Sequence, residues 1–273
     1  MSSCFHSNFV NAKNILSINF SLIFLLLFYS FPLSADELPL DKVVLQLKWF
    51  HQFQFAGYYA AKAKGFYQQE GLDVEIRQRD PKLPVIGMVV SGQAQYGISD
   101  SSAVVNFANG DPVVALAAIM QHDPLVLISK KSSGIVSPQE MRGKKIMFDA
   151  SGGNEAPIVA MMTEAGITPE FYSHIQSTFN NEDLEYDRVD AMPGYVNDQP
   201  FYFKQKGIEI NIINPLSYGL DFYGDILLTS RNELTENPLR AYKFRRASLR
   251  GWKYALENPD EIIDIILQQY QTD

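Results

Sequence analysis

Residues 47–72 read LKWFHQFQFAGYYAAKAKGFYQQEGL and join the end of a strand to a helix through a cluster of rings. The preceding pattern KVVLQLKW (42–49) alternates like a β-strand, and we expect a helix over residues 56–69 that ends at Gly71. A strand followed by a helix is the unit of a parallel sheet with crossover helices. Seven rings crowd this junction, at Trp49, Phe50, His51, Phe53, Phe55, Tyr58 and Tyr59.

Strand-like and helix-like patterns alternate along the rest of the chain in two sets. The sets predict an α/β fold of two lobes, each a mainly parallel sheet flanked by helices, with a cleft between them. We expect lobe one over residues 43–128 plus 225–273 and lobe two over residues 131–222. The chain would cross between the lobes near residues 128–131 and again near residues 218–225.

The first 35 residues have the composition of a secretory leader. They contain one charge, Lys13, then the apolar run ILSINFSLIFLLLFYSFPLSA, and the chain turns polar at Asp36. This order is typical of a signal peptide with cleavage after Ala35. An uncleaved membrane anchor is the alternative, since the apolar run is close to the length of about 20 residues that a span needs.

Charge and cysteine content exclude several classes of function. The formal net charge is −8, and loss of Lys13 with the leader would make it more negative. An acidic protein is a poor partner for nucleic acid or for an anionic membrane surface. The only cysteine is Cys4, so the mature chain would have no disulfide and no thiolate site. His122 and His174 lack acids at zinc-ligand spacing, and we expect no metal and no cofactor.

Five blocks of the sequence, in order, carry a resemblance to a known family. They are LKWFHQFQFAGYYAAKAKGFYQQEGLDVEI (47–76), SGQAQYGISDS (91–101), RGKKIMFDASGGNEAP (142–157), RVDAMPGYVNDQPFYFKQKGI (188–208) and SYGLDFYGDILLTS (217–230). The chain resembles periplasmic proteins that bind thiamine-pyrimidine precursors, within the larger SsuA/THI5-like group of sulfonate-binding proteins and the fungal pyrimidine synthase. The resemblance implies a type II periplasmic binding fold, periplasmic location and delivery of a small planar heterocycle to an ABC importer.

In open α/β sheets ligands bind beyond the carboxyl ends of the strands, so Trp49 and His51 are expected on the cleft floor. A heterocycle can stack on Trp49, whereas His51 either donates to the ligand or caps a loop. We also include Asp100, the acid nearest to the third strand. Asn154 lies where free backbone N–H groups at a helix start can hold a polar group, although a plain capped turn explains SGGNEAP (151–157) as well.

The segment PGYVNDQP (193–200) supplies Tyr195 and Gln199. Proteins that this chain resembles carry an acid before the proline, and here that position is Gln199. An amide can accept from an amino group and donate to a ring nitrogen, but it makes no charge-assisted bond. Three more candidates, Tyr218, Asp221 and Tyr223, lie with Asp225 at the returning crossover, where they either close over a ligand or pack the hinge.

An enzymatic role is not expected. The fungal synthase uses a lysine and a histidine where this chain has Ser99 and Ala103, so no Schiff-base anchor is present. Besides the binding protein of an importer, two non-enzymatic functions are compatible with the sequence. One is the ligand-sensing domain of a bacterial signalling receptor, because residues 49–67 are similar to segments ahead of kinase or cyclase modules; the chain would then be truncated. The second is a sulfonate-binding protein.

Overall fold

The computed structural model describes residues 39–80, 82–148 and 155–270. The leader predicted at residues 1–35 and the candidate Asn154 lie outside the described residues. Within them the chain forms two five-stranded mixed sheets flanked by helices, and this is the two-lobed α/β architecture that the sequence predicts.

The first sheet belongs to lobe one. Its strands are β1 (Asp41–Gln46), β2 (Leu72–Arg77), β3 (Tyr96–Ser99), β4 (Val113–Ala118) and β10 (Ile226–Ser230). Their order in the sheet is β2-β1-β3-β10-β4. Strands β1, β2 and β3 run parallel, and β10 returns antiparallel between β3 and β4. Along β2 the burial alternates with the sequence LDVEIR, because every second side chain faces the helices.

Seven of the described helices flank this sheet. They are α1 (Ala56–Ala63), α2 (Phe66–Gln69), α3 (Val85–Val90), α4 (Ser102–Ala108), α8 (Arg231–Glu236), α9 (Pro238–Glu257) and α10 (Pro259–Gln269). Helices α1 and α9 cross at glycines: a Cβ on Gly251 would lie 2.0 Å from the carbonyl oxygen of Gly57, so only glycine permits this approach. Phe55, Tyr59 and Phe66 are buried in the core of this lobe.

The second sheet belongs to lobe two. Its strands are β5 (Leu125–Lys130), β6 (Lys145–Phe148), β7 (Ser173–Gln176), β8 (Ala191–Tyr195) and β9 (Ile210–Ile213). Their order is β7-β6-β8-β5-β9. Strand β6 is parallel to β7 and β8, whereas β5 is antiparallel to β8 and β9. The helices of this lobe are α5 (Ala156–Glu164), α6 (Glu182–Glu185) and α7 (Gln199–Gln205), with 3₁₀ turns at Lys131–Ser133, Pro138–Met141, Pro169–Phe171 and Pro215–Tyr218.

The first crossover lies earlier than the sequence predicts. Strand β5 was expected in lobe one up to residue 128, but it pairs with β8 and β9 of the second sheet. The chain therefore crosses between β4 and β5, over residues 119–124, and returns over residues 219–225. A continuous apolar run predicts a buried strand without saying which sheet it joins, and this is why the boundary was misplaced. Among the described helices, none is long and apolar enough to cross a membrane.

Candidate functional site

A cavity of about 580 Å³ lies between the two lobes. Lobe one contributes the residues that follow the carboxyl ends of β1, β2 and β3. Lobe two contributes the end of β8, the loop after β7 and the start of α7. The volume falls in the range of about 300–1,000 Å³ that is usual for small-molecule sites. The cavity thus occupies the position that strand polarity assigns to a ligand in an open α/β sheet.

A buried lysine organises the floor of this cavity. The ammonium nitrogen of Lys48 lies 2.8 Å from Oδ1 of Asp225 and 3.6 Å from Oδ2 of Asp100. Burial by itself lowers the pKa of Lys48, but Asp225, Tyr195 and Asp100 outweigh it and raise the pKa well above the ordinary value. Gln54 donates through Nε2 to both carboxylate oxygens of Asp225, at 3.0 and 2.9 Å. Lys48 is therefore charged, and its charge is balanced from within the protein.

Both crossovers and both lobes meet at this lysine. Asp225 ends the returning crossover, and Tyr195 of lobe two places its ring centroid 5.3 Å from Lys48 Nζ. Asp123, in the first crossover, has its pKa raised to about 6, mainly by burial, with the negative charges of Asp100 and Asp225 adding to the shift and Lys48 opposing it. Lys48, on the floor of the cavity, thus interacts electrostatically with one acid from each crossover, Asp123 and Asp225.

Aromatic rings from both lobes meet where the cavity opens to solvent. Trp49 of lobe one and Phe179 of lobe two lie 5.4 Å apart between ring centroids, with an interplanar angle of 65°. The guanidinium carbon of Arg79 lies 5.0 Å from the Trp49 ring and 4.0 Å from the Phe179 ring. Trp49 also packs edge-on against Phe50 at 5.5 Å. The ring cluster of the sequence therefore contributes to a contact between the lobes.

Gln199 makes its hydrogen bonds within its own loop. Its Oε1 accepts from the backbone N–H of Tyr195 at 2.5 Å, and its Nε2 donates to Oδ2 of Asp198 at 3.0 Å. The side chain folds back against β8 because position 194 is glycine: a Cβ there would lie 2.9 Å from Gln199 Oε1. Burial raises the pKa of Asp198, and the Gln199 amide opposes that shift. The amide thus holds Tyr195 and Asp198 beside the cavity.

Trp49, Asp100, Tyr195 and Gln199, which the sequence proposes as ligand-binding residues, line the cavity. His51 lies outside the lining. Its Nδ1 is 2.8 Å from the hydroxyl oxygen of Tyr59, and its ring packs 4.6 Å from that of Tyr270. Burial lowers the pKa of His51. The structure therefore gives His51 a packing role at the start of α1.

The three candidates of the returning crossover also lie outside the lining. Tyr218 ends an exposed 3₁₀ turn. Asp221 pairs with His122 of the other crossover, at 2.9 Å from Nδ1. Tyr223 exposes its ring, while its backbone carbonyl accepts from the Ser101 hydroxyl at 2.5 Å. Asp221 thus connects the two crossovers, and Tyr223 connects the returning crossover to lobe one.

Sequence reasoning missed Lys48, and it noted Asp225 only as part of the returning crossover. Lys48 directly precedes Trp49, and a lone charge at the carboxyl end of a predicted strand was a usable signal. Asp225, 1% exposed, directly precedes an apolar strand, and this is a second signal. Phe179 had none, because only the tertiary fold brings the loop after β7 to Trp49. Within the described ranges, no group of three or more His, Cys, Asp or Glu is arranged to hold a metal ion.

The family described as NMT1/THI5 like matches residues 52–262, from the ring cluster into the last helix. The chain belongs to the NMT1/THI5-like family. This match covers the second sheet, both crossovers and the strands of the first sheet other than β1. Of the described cavity lining, Lys48 and Trp49 precede it.

Relatives in the family carry different ligands in their names. The riboflavin-binding protein RibY of Chloroflexus aurantiacus is 29% identical over 87% of this chain and 69% of its own. The formylaminopyrimidine-binding protein of Halalkalibacterium halodurans is 26% identical over 86% of this chain and 72% of its own. A relative from Legionella pneumophila, 26% identical over 84% of this chain and 73% of its own, is a 4-amino-5-hydroxymethyl-2-methylpyrimidine phosphate synthase. Binding proteins and synthases therefore share the family.

Solved structures establish the fold class. The periplasmic aliphatic sulphonate binding protein SsuA of Escherichia coli superposes with a TM-score of 0.69 at 12% identity, covering 84% of this chain and 78% of that protein. The architecture is therefore that of a type II periplasmic binding protein, as expected. At this identity the likeness concerns the fold alone.

Proposed function

We propose that this protein is an extracytoplasmic solute-binding protein that captures a small planar heterocycle, most simply a thiamine pyrimidine precursor, without chemical change. The observation that carries the proposal is the cavity between the lobes, with Trp49 at its opening and carboxylates along its wall. An aromatic ring supplies a stacking surface, and carboxylates accept hydrogen bonds from amino groups. Relatives named for formylaminopyrimidine and riboflavin support the same ligand class.

Charge in the cavity favours amino-bearing ligands over sulfonates. Asp80, Asp100, Glu155 and Asp198 line it, against two cations among the described lining residues: Lys48, which Asp225 neutralises, and Arg79 at the opening. A sulfonate would therefore meet more carboxylates than cations, and the like charge would repel it. An aminopyrimidine would meet partners for its exocyclic amino group.

The cavity is larger than one pyrimidine ring requires. A volume of about 580 Å³ accommodates a fused-ring ligand as well as a monocyclic one. This observation favours a second candidate, a flavin-type heterocycle. The two candidates differ in size and share the same polar pattern, so direct titration separates them.

The proposed partner is the permease of an ABC importer, reached after export through the N-terminal leader. A ligand that contacts both lobes stabilises the closed arrangement, because the open one forms only half of the contacts. The permease would read that closed shape. The type II fold and the relatives named as binding proteins support this role.

Isothermal titration calorimetry of the purified chain tests the proposal. We expect saturable binding of 4-amino-5-hydroxymethyl-2-methylpyrimidine or of riboflavin, and no heat with the sulfonate buffer MOPS. Binding should need no added metal, and mass spectrometry should recover the ligand unchanged. A response to MOPS with none to either heterocycle would refute the proposed ligand class, and conversion of the pyrimidine during incubation would refute the binding role.

A further inference from the structure

The loop between β7 and α6 (177–181) holds its aromatic residue in an unusual backbone conformation. Phe179 has φ = 58°, in the left-handed region that bulky residues rarely adopt. Hydrogen bonds on either side hold it there: its N–H donates to Ser177 Oγ at 3.2 Å, and the N–H of Asn180 donates to Thr178 Oγ1 at 3.2 Å. The loop is fixed on lobe two, because the N–H of Ser177 donates to the carbonyl of Phe148 in β6 at 2.8 Å.

This conformation directs the Phe179 ring across the cavity opening to lobe one. The ring is 41% exposed and also lines the cavity, so it lies where the cavity meets solvent. On lobe one, Trp49 and Arg79 are held together by a hydrogen bond from the Arg79 N–H to the Trp49 carbonyl at 3.0 Å. The guanidinium of Arg79 then stacks on the Phe179 ring, and Trp49 meets that ring edge to face.

A hydrophobic ring that only filled space would not need this arrangement. A left-handed phenylalanine is energetically unfavourable unless its surroundings compensate. Here the hydrogen bonds of the loop hold the backbone, and the ring gains contact with the opposite lobe. These ring contacts at the opening join the two lobes through residues that lie outside both crossovers. Cation–π and edge-to-face contacts are strongly distance-dependent, so they vanish when the lobes separate by a few ångströms.

We propose that Phe179, Trp49 and Arg79 form a latch that closes the cavity opening, and that Phe179 determines how long a bound heterocycle is retained. The retention role rests on the proposed function. The closing role does not, because the three side chains contact one another directly. Trp49 would then act in two ways, as one wall of the ligand site and as the surface on which Phe179 closes.

Stopped-flow fluorescence measures the retention role, with 4-amino-5-hydroxymethyl-2-methylpyrimidine as the probe on the full chain. Phe179→Ala should dissociate the probe about tenfold faster, the scale of one lost cation–π and one lost aromatic contact, with little change in association rate. Phe179→Gly should give the same dissociation rate, although glycine adopts the left-handed conformation without strain. Comparing the two variants therefore distinguishes the effect of losing the ring from the effect of backbone strain. The matched control is Tyr186→Ala, an exposed ring of lobe two that pairs with Arg188 of the same lobe at 5.5 Å. An unchanged dissociation rate in both Phe179 variants would overturn the retention role.

The closing role is measured without any added ligand. Spin labels on Leu239→Cys in lobe one and Lys204→Cys in lobe two, in a Cys4→Ser background, report the distance between the lobes by double electron–electron resonance. Phe179→Ala should broaden and lengthen that distance distribution, whereas Tyr186→Ala should leave it unchanged. If the wild type fails to bind the pyrimidine, the proposed ligand falls while this measurement still decides the latch. Identical distributions in Phe179→Ala and wild type would overturn it.

Discussion

The ammonium nitrogen of Lys48 lies 2.8 Å from Oδ1 of Asp225, and this ion pair joins the first strand of the chain to the last segment that crosses between the lobes. The two residues are far apart in the sequence. The side-chain amide of Gln54 donates to the same carboxylate. A charged pair with side chains only 14% and 2% exposed has lost its hydration. Such a pair contributes little net stability, but removing one member leaves an uncompensated buried charge.

Lys48→Met should therefore destabilise the protein strongly. Asp225 would keep only the Gln54 amide, and the expected loss in the free energy of unfolding is about 3–5 kcal/mol. Urea unfolding followed by circular dichroism measures it. The control is Lys64→Met. Lys64 Nζ lies 3.0 Å from Oε1 of Glu261, in a pair that is exposed to solvent, so this variant should lose no more than about 1 kcal/mol. The double variant Lys48→Met/Asp225→Leu should recover part of the loss; a double variant as unstable as the sum of both singles would argue against the pair.

Asp123 should make stability fall as the pH rises. Its pKa in the folded protein is about 6, against an ordinary value of 3.8, because of burial. The folded state therefore holds a proton between these values that the unfolded state has released, and the stabilisation is complete below about pH 4 and lost through pH 6. Asp123→Asn keeps an oxygen for the Leu125 N–H, which donates to Asp123 Oδ1 at 3.0 Å, but it carries no charge.

The variant Asp123→Asn should equal wild type in free energy of unfolding at pH 4 and exceed it at pH 7.5, by on the order of 1–2 kcal/mol. Urea titrations at the two pH values measure the difference. Asp73→Asn serves as the control, since it removes an exposed carboxylate from strand β2. A constant difference between Asp123→Asn and wild type at both pH values would mean that Asp123 titrates normally.

Fluorescence separates the two tryptophans of the chain. Trp49 lines the cavity, whereas Trp252 packs edge-on against Tyr58 in the helix interface of lobe one, at 5.7 Å between centroids. Quenching by the bound heterocycle should disappear in Trp49→Phe and persist in Trp252→Phe. The affinity of Trp49→Phe should fall by about two- to tenfold, the equivalent of one stacking contact. Quenching that persists in Trp49→Phe would remove this ring from the ligand site.

The sequence was informative where local patterns decide structure. Trp49 lines the cavity where the end of the first strand predicts it, because its position follows from strand polarity alone. The sequence did not predict the position of His51, because its ring packs against Tyr270, which is more than 200 residues away in the sequence. The role of Phe179 could not be predicted from the sequence for the same reason, since its partners Trp49 and Arg79 lie on the other lobe. Pairing between distant segments depends on tertiary structure, and no local periodicity records it.

Gln199 offers the sharpest test of how the site is supported. The sequence raises the hypothesis that its amide faces the heterocycle, and in the structure that amide is bonded to the Tyr195 N–H and to Asp198. Gln199→Glu keeps the acceptor but loses the donor, and it places a second carboxylate beside Asp198, whose pKa burial already raises. Two adjacent carboxylates favour a shared proton, so the pair is held together at low pH and repels at high pH.

Affinity of Gln199→Glu for 4-amino-5-hydroxymethyl-2-methylpyrimidine should therefore be near that of wild type at pH 5.5 and about tenfold weaker at pH 8, a difference of roughly 1.4 kcal/mol. Gln199→Ala loses both bonds and should be weaker at both pH values. Gln205→Glu adds the same charge at the exposed end of the same helix and should match wild type. Calorimetry at the two pH values distinguishes them. If Gln199→Glu had the same affinity as Gln205→Glu at both pH values, the hydrogen bonds of Gln199 to Tyr195 and Asp198 would have no part in holding the ligand.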